Sequence, residues 1–445
     1  MYFAIIAAVM LAFACGPIEP REGFSAAHTL LGTVALTLVC ILLAHALSAW
    51  ALRAFPTDYL ARNKFLKRYY RLLTIHRVLL VAAYGLSLHW LQWPVVIGKT
   101  WSMANWVLVD EFLMLLPFLL ALVLSWVALF RVDKRLRGAT WGLGEYLVFH
   151  SRHYLGVIVL PIFFFFALFD IASLLLGSRL EDPFVHWPLA VALVLSMYAF
   201  APLGLRVIWR TTPLPDGPLR RDLEAMMQRV GLRCRDILVW ETGGGRVANA
   251  CIAGVFPGLR YVFLSDALLW NLAPDEIAAI FGHELGHAKH RHIPFYVVFC
   301  LAFAFFSAAI EANAGSLVKG APLALLTLVL YWGVIFGFLS RRLERQADIY
   351  GARLVGDMDT FIRSLEKIAY LNGMTRKLRS WRHFTIAKRV AFLDKLRQDP
   401  SVERKFEREL RLWIASFMVG ALICLAVTVH VYLPQFRAAA ERLLR

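Results

Sequence analysis

Cysteine is scarce. The six in 445 residues (Cys15, Cys40, Cys234, Cys251, Cys300 and Cys424) form no Cys-x-x-Cys pair, and most lie in apolar segments. This excludes a disulfide framework and a thiolate zinc site and leaves small buried hydrophobes. Negative charge is also short, with 31 acidic residues against 48 basic and a net charge of +17. The basic excess does not indicate nucleic acid, because it gathers between hydrophobic blocks and is not interleaved with aromatics on a soluble patch. No basic residue precedes the apolar stretch 2–15, so the charged start of a signal peptide is missing. Ala12-Phe13-Ala14 before Cys15 fits a lipoprotein site poorly, and the stretch is expected to be a short, uncleaved first membrane helix. Internal repeats and low-complexity segments are absent.

What the chain has in excess is apolar length. It is 59% hydrophobic with a mean hydropathy of +0.60, above the usual globular range. Blocks long enough to cross a bilayer run at about 28–53, 76–98, 105–130, 153–177, 187–209, 294–313, 320–340 and 411–433. With the first short stretch they make nine candidate helices. The connection 53–77 holds Arg53, Arg62, Lys64, Lys67, Arg68, Arg71 and Arg77 against Asp58. The connection 131–152 holds Arg131, Lys134, Arg135, Arg137 and Arg152. Both are expected on the cytoplasmic side. Counting helices forward then places the polar stretches 210–292 and 341–410 on that same side, joined by a hairpin that crosses and returns. Arg437, Arg442 and Arg445 run against the rule at the other end. Asp110, Glu111 and Asp170, in or beside apolar blocks, are assigned no role.

Within 210–292 the pattern is mixed. Residues 218–231 read as helix and 236–242 as strand, while 247–253 and 260–265 read as a hairpin around Phe256-Pro257-Gly258. A helix begins at Pro274, with Asp275 and Glu276 at its positive end, and contains His283-Glu284-Leu285-Gly286-His287. Histidines four apart share one helix face, so both imidazoles can reach one Zn²⁺. Glu284 beside them can take a proton from water made acidic by that ion. Catalytic zinc needs a third protein ligand and an open position. A third histidine ten residues after the first is ruled out, because position 293 is Ile. Ser340-Arg341-Arg342-Leu343-Glu344-Arg345-Gln346-Ala347-Asp348 offers Glu344 instead, with Asp348 on the same face to orient a ligand histidine. His290 remains an alternative ligand, although water or headgroups are its expected neighbours.

His283–His287, a membrane hairpin and then Glu344-x-x-x-Asp348 resemble the family of the CaaX prenyl protease and the bacterial heat-shock membrane protease. The resemblance is dense from about 215 to 395, and the long multi-helix beginning looks more like the prenyl protease branch. It implies that Asn249-Ala250 lies on the edge strand that pairs with substrate backbone. Tyr261 to Leu269 resembles the family's strand-to-helix segment. It also implies that His383 and Arg389 face the metal and help stabilise the oxyanion. Two departures stand out: Phe384 where the family often has Pro, and Ala273 where a capping Ser or Asp is usual, which forfeits about 1 kcal/mol.

The expected fold class is mainly α: a polytopic helical membrane protein with a small α+β zincin-like catalytic domain. Its expected parts are membrane helices in 1–209, the catalytic α+β segment 210–292, a transmembrane hairpin 293–340, a cytosolic segment 341–410 with the third ligand, and a last membrane helix 411–433. The expected function is a zinc metalloendopeptidase with one Zn²⁺, acting on peptides or membrane proteins, lipidated or damaged. It should lie in the bilayer of an inner or cell membrane with its site facing the cytoplasm. Two other readings stay open. A metallopeptidase sensor would need an outer ligand domain, and the outer loops are short. A non-catalytic, zinc-stabilised membrane protein would need a fourth ligand, such as His290, to close the site.

Overall fold

The computed structural model describes residues 1–13, 19–56, 59–103, 106–137, 141–243, 247–313, 321–372, 376 and 384–443. His383 falls outside the described residues. Eight helices among those described are long and apolar enough to cross a membrane: Ala26–Arg53, Lys64–His89, Val109–Leu136, Leu143–Leu180, Pro183–Ile208, His292–Ile310, Leu326–Val355 and Ser401–Pro434. The chain is a multi-pass membrane protein. Leu31, Leu42, Leu175, Val207 and Leu422 stand exposed on these helices, as side chains that meet lipid must.

The chain divides into two compact units. The first comprises Met1–Asp182 with Gly315–Leu328. Its core gathers Leu80, Tyr84, Leu88, Phe118, Leu122, Trp126, Trp141 and Tyr146. The expected first membrane helix is here the 12-residue helix Tyr2–Phe13. At 1.5 Å per residue its 12 described residues span about 18 Å. Ile5 and Ala8 are wholly buried in the unit's core. Asp170 accepts the Leu108 N–H at 3.2 Å.

The second unit, Pro183–Ala314 with Val329–Arg445, carries every chemically interesting residue named above that is described. It contains one four-stranded sheet in the order β1-β2-β4-β3, with β1 at Thr211–Pro213, β2 at Asp236–Trp240, β3 at Ala250–Ala253 and β4 at Tyr261–Ser265. β1 is antiparallel to β2, β2 parallel to β4, and β3 antiparallel to β4. The hairpin read from the sequence is thus β3–β4, closed by a turn of 3-10 helix at Pro257–Leu259. β1 was not legible. Both faces of the sheet are covered, which is why β4 is buried at every residue. Ile252, Val262 and Leu264 face the helices Pro218–Arg229 and Pro274–Lys289, while Tyr261 and Phe263 meet Trp209 and Leu203 at the end of the Pro183–Ile208 helix. β3 is an edge strand, and this positions the site.

Two helices form the floor of the site. The histidine helix, Pro274–Lys289, starts with Pro at its first turn and no side-chain cap at Ala273. Glu276 makes up part of the loss by accepting the Ala273 N–H at 2.9 Å and the Lys367 ammonium at 2.7 Å. Ile277, Ile280, Phe281 and Leu285 are buried, each worth about 1.5–3 kcal/mol. The Glu344 helix, Gly337–Val355, continues directly from a membrane span. It ends at Gly356, whose φ of +78° suits a glycine stop. These two helices touch almost backbone to backbone. A Cβ on Gly286 would lie 3.0 Å from Ala347 Cα, and one on Gly351 would lie 2.7 Å from the His283 nitrogen. Only glycine permits that approach.

Two further helices close the site. Met358–Leu371 is capped by Asp357, which accepts the N–H groups of Asp359 and Thr360, and Ile386–Gln398 is capped by Thr385.

Candidate active site

The close contact of the two floor helices brings three donors together. His283 Nε2 and His287 Nε2 are 3.2 Å apart. Glu344 Oε2 is 3.4 Å from His283 Nε2, and Glu344 Oε1 is 3.7 Å from His287 Nε2. Glu344 is 3% exposed. Four ligands at 2.0–2.1 Å in a tetrahedron stand about 3.3–3.4 Å from one another, so these spacings suit one small divalent ion. Among the described residues, this is the group of His, Cys, Asp and Glu that could hold a metal. The donor set, two imidazoles and a carboxylate, fits Zn²⁺ and leaves one tetrahedral position for a reactant. His290 is not in this group. It is exposed, with its ring edge-on to Tyr350.

The outer nitrogens of the two histidines have different supports. His283 Nδ1 lies 2.9 Å from Asp348 Oδ1. Asp348, 1% exposed, is gripped in turn by Arg389, whose Nε donates to Oδ2 at 2.8 Å and whose Nη2 donates to Oδ1. Arg389 was expected to help the oxyanion. Two of its guanidinium nitrogens bind Asp348, behind His283. The buried carboxylate raises the Arg389 pKa further, against the opposing effect of burial. His287 Nδ1 lies 2.9 Å from His292 Nδ1. His292, to which sequence reasoning assigned no role, is 1% exposed and supports a candidate ligand.

Burial alone would lower the pKa of His283. Hydrogen bonds to Asp348 and Glu344, with the Asp348 charge, outweigh it and raise the value to about 10. Glu284 is next on the helix. Burial pushes its carboxyl up to about 7, with the Glu344 charge adding to this and His283 and Arg389 opposing. Its Oε2 accepts the Ile252 N–H of β3 at 3.2 Å.

The parity of β3 follows from its pairing. Ser265 N–H donates to the Asn249 carbonyl at 2.9 Å, and Asn249 N–H donates to Ser265 Oγ at 2.9 Å. Asn249 therefore turns its main chain inward to β4. The open edge belongs to Ala248, Ala250 and Ile252. Glu284 takes the Ile252 position. At the other end, Ala248 N–H donates to Asn372 Oδ1 at 3.1 Å while Asn372 Nδ2 donates to the Ala248 carbonyl at 2.8 Å. The Asn372 carboxamide thus stands where a partner peptide group would. The sequence reading missed it, since a lone Asn after a helix carries no signal of its distant partner. Ala250 lies between these two stops, and the Asn249 side chain is exposed.

Fold and site together define a multi-pass membrane protein whose second unit carries a His-Glu-x-x-His helix packed against the helix of Glu344. Residues 213–407 match the description Peptidase family M48. Over 197 residues it is 28% identical to a protein named Protease HtpX homolog from Aeropyrum pernix, covering 40% of this chain and 61% of that one. Over 246 residues it is 28% identical to CAAX prenyl protease 1 of Saccharomyces cerevisiae, covering 46% of this chain and 54% of that one. The matches thus span less than two thirds of these relatives' lengths. Ste24p of S. mikatae has the same fold, with a TM-score of 0.53 at 19% identity, covering 84% of this chain and 99% of that chain.

Proposed function

We propose that the chain is a membrane-embedded, zinc-dependent endopeptidase whose substrates are membrane-associated proteins, lipidated or damaged. The observation that carries this reading is the set of three donors 3.2–3.7 Å apart, with Glu284 one residue along and an open strand edge beside it. Bound Zn²⁺ supplies a Lewis acid that polarises the scissile carbonyl and makes water acidic at neutral pH. His283, His287 and Glu344 hold the ion, and Asp348 keeps the His283 Nδ1 proton turned away from it. The substrate adds as a strand at Ala250 and exchanges main-chain hydrogen bonds there. Asn372 and Glu284 mark the two ends of the available edge. Glu284, with its carboxyl lifted to about 7 by burial, takes a proton from water and delivers it to the leaving amine. The Asn249 side chain, exposed next to Ala250, is placed to contact the bound strand. The basic connections 53–77 and 131–152 favour a site on the cytoplasmic side of the bilayer.

The test is the Glu284→Gln protein, purified and loaded with zinc. It should keep its metal and lose about 10²–10⁴ in peptide turnover; wild-type turnover with zinc bound refutes the reading. Matched prenylated and bare peptides, compared by kcat/KM, separate lipidated substrates from unmodified ones.

A further inference from the structure

Behind His287 runs a chain of side chains drawn from three elements. His292 Nε2 lies 2.9 Å from Gln346 Oε1 on the Glu344 helix. Gln346 Nε2 lies 2.9 and 2.8 Å from the two oxygens of Glu407, on the helix Ser401–Leu443. Each link has a direction. A carboxylate only accepts, so the Gln346 amide must turn its NH₂ to Glu407 and its oxygen to His292. That oxygen only accepts, so His292 must carry its proton on Nε2. His292 Nδ1 then has a lone pair and accepts from Nδ1–H of His287. The remaining lone pair of His287 is on Nε2, the atom facing His283 and Glu344. We propose that Glu407 acts through Gln346 and His292 as a positioning residue that fixes the tautomer of His287 and aims its Nε2 lone pair at the metal.

The two histidines are therefore supported differently. His283 leans directly on a carboxylate that Arg389 pins. His287 leans on a neutral imidazole, and its carboxylate stands two side chains further off. Direct partners of ligand histidines are worth about 10–100-fold in metal affinity. The inference rests on the zinc reading above, and the wild-type protein tests that reading separately.

The experiment measures zinc affinity and release against a competing chelator for wild type, Glu407→Gln, Gln346→Met and His292→Phe in the full-length, detergent-purified chain. Glu407→Gln is nearly isosteric, yet its carboxamide can donate as well as accept, which frees the chain to reverse. Zinc affinity should fall about tenfold in each variant. The double variant His292→Phe/Glu407→Gln should lose no more than His292→Phe alone, because Glu407 acts only through that link. In the metal-free protein, ¹⁵N-histidine spectra should show His287 protonated on Nδ1 in wild type and divided between tautomers in Glu407→Gln. Glu403→Gln is the control, since Glu403 sits on the same helix but pairs with Arg353; it should bind zinc as wild type does. Wild-type affinity in folded Glu407→Gln or Gln346→Met overturns the proposal, as does an additive double variant. Should one variant not fold, the other decides. A wild-type chain that binds no zinc defeats the proposed function instead.

Discussion

Replacing Gly351 with alanine should stabilise an isolated helix by about 1 kcal/mol. In this protein it should do harm, and the geometry says by what route. The new Cβ would sit 2.7 Å from the His283 nitrogen, 2.8 Å from Phe361 Cε2 and 2.9 Å from His283 Cα. Carbon contacts are comfortable at about 3.5 Å or more, so the histidine and Glu344 helices must part by about 0.7 Å. Overpacking of this kind costs about 1–3 kcal/mol, which offsets or exceeds the gain in helix propensity. The larger effect falls on the metal. His283 moves as a backbone unit, and its 3.4 Å separation from Glu344 grows towards about 4 Å, whereas a metal site tolerates about ±0.2 Å. Zinc affinity should drop at least about tenfold, and peptide turnover should drop with it at limiting metal. Chelator competition reads the affinity, and thermal unfolding of the metal-free protein reads the packing. A Gly351→Ala chain with wild-type zinc affinity and no loss of melting temperature would refute the claim that backbone contact sets the donor spacing.

Other outcomes follow from the same site. Glu344→Ala should purify with less than stoichiometric zinc and recover little activity on adding metal, which metal analysis beside a peptide assay checks. His283 is held near 10 in the metal-free protein, above its ordinary 6.5, so zinc must expel a proton at neutral pH. Calorimetry in buffers of different ionisation enthalpy at about pH 7.5 should count about one proton released, and a count of zero would contradict the coupling. By the same shift, the proton stabilises the metal-free fold fully below about pH 6.5, and that contribution is lost as pH rises through about 10. Asn372→Gly should free the edge at Ala248, shifting the cleavage positions mapped by mass spectrometry on random decapeptides; an unchanged map would show that Asn372 does not bound the bound strand.

How much of this was written plainly in the sequence depends on the distance between partners. His283, Glu284 and His287 share one helical turn, and Glu344 and Asp348 share another, so spacing alone put each set on one face. The membrane helices were legible for a similar reason, since hydropathy is local. The strand pair Ala250–Ala253 and Tyr261–Ser265 was marked by the Pro257-Gly258 turn between them. What spacing could not give was the partner across the fold. Asp348, bonded by Arg389, was one such partner. Asn372, Gln346 and Glu407 looked like ordinary polar residues on or just after helices. Thr211–Pro213 is too short to show a period.

The unread residues have one property in common, and it bears on mechanism. Asn372, Gln346 and Glu407 are polar side chains at least partly buried and bonded to partners far along the chain, where an unmatched buried group costs about 1–3 kcal/mol. The donor triangle itself needs only two helices in contact, which Gly286 and Gly351 secure. The direction of each lone pair within it is a separate matter, and neither helix can impose it. A histidine with its proton on the wrong nitrogen occupies the same space and offers the ion nothing. Asp348 settles this for His283 in one step, because a carboxylate has no proton to give. His292 alone cannot settle it for His287, because an imidazole can face either way. The ambiguity ends only where the chain of bonds reaches Glu407, a group with a single hydrogen-bonding sense. A site built from two helices therefore depends on a third, and the sequence between His283 and Asp348 does not by itself specify a competent metal centre.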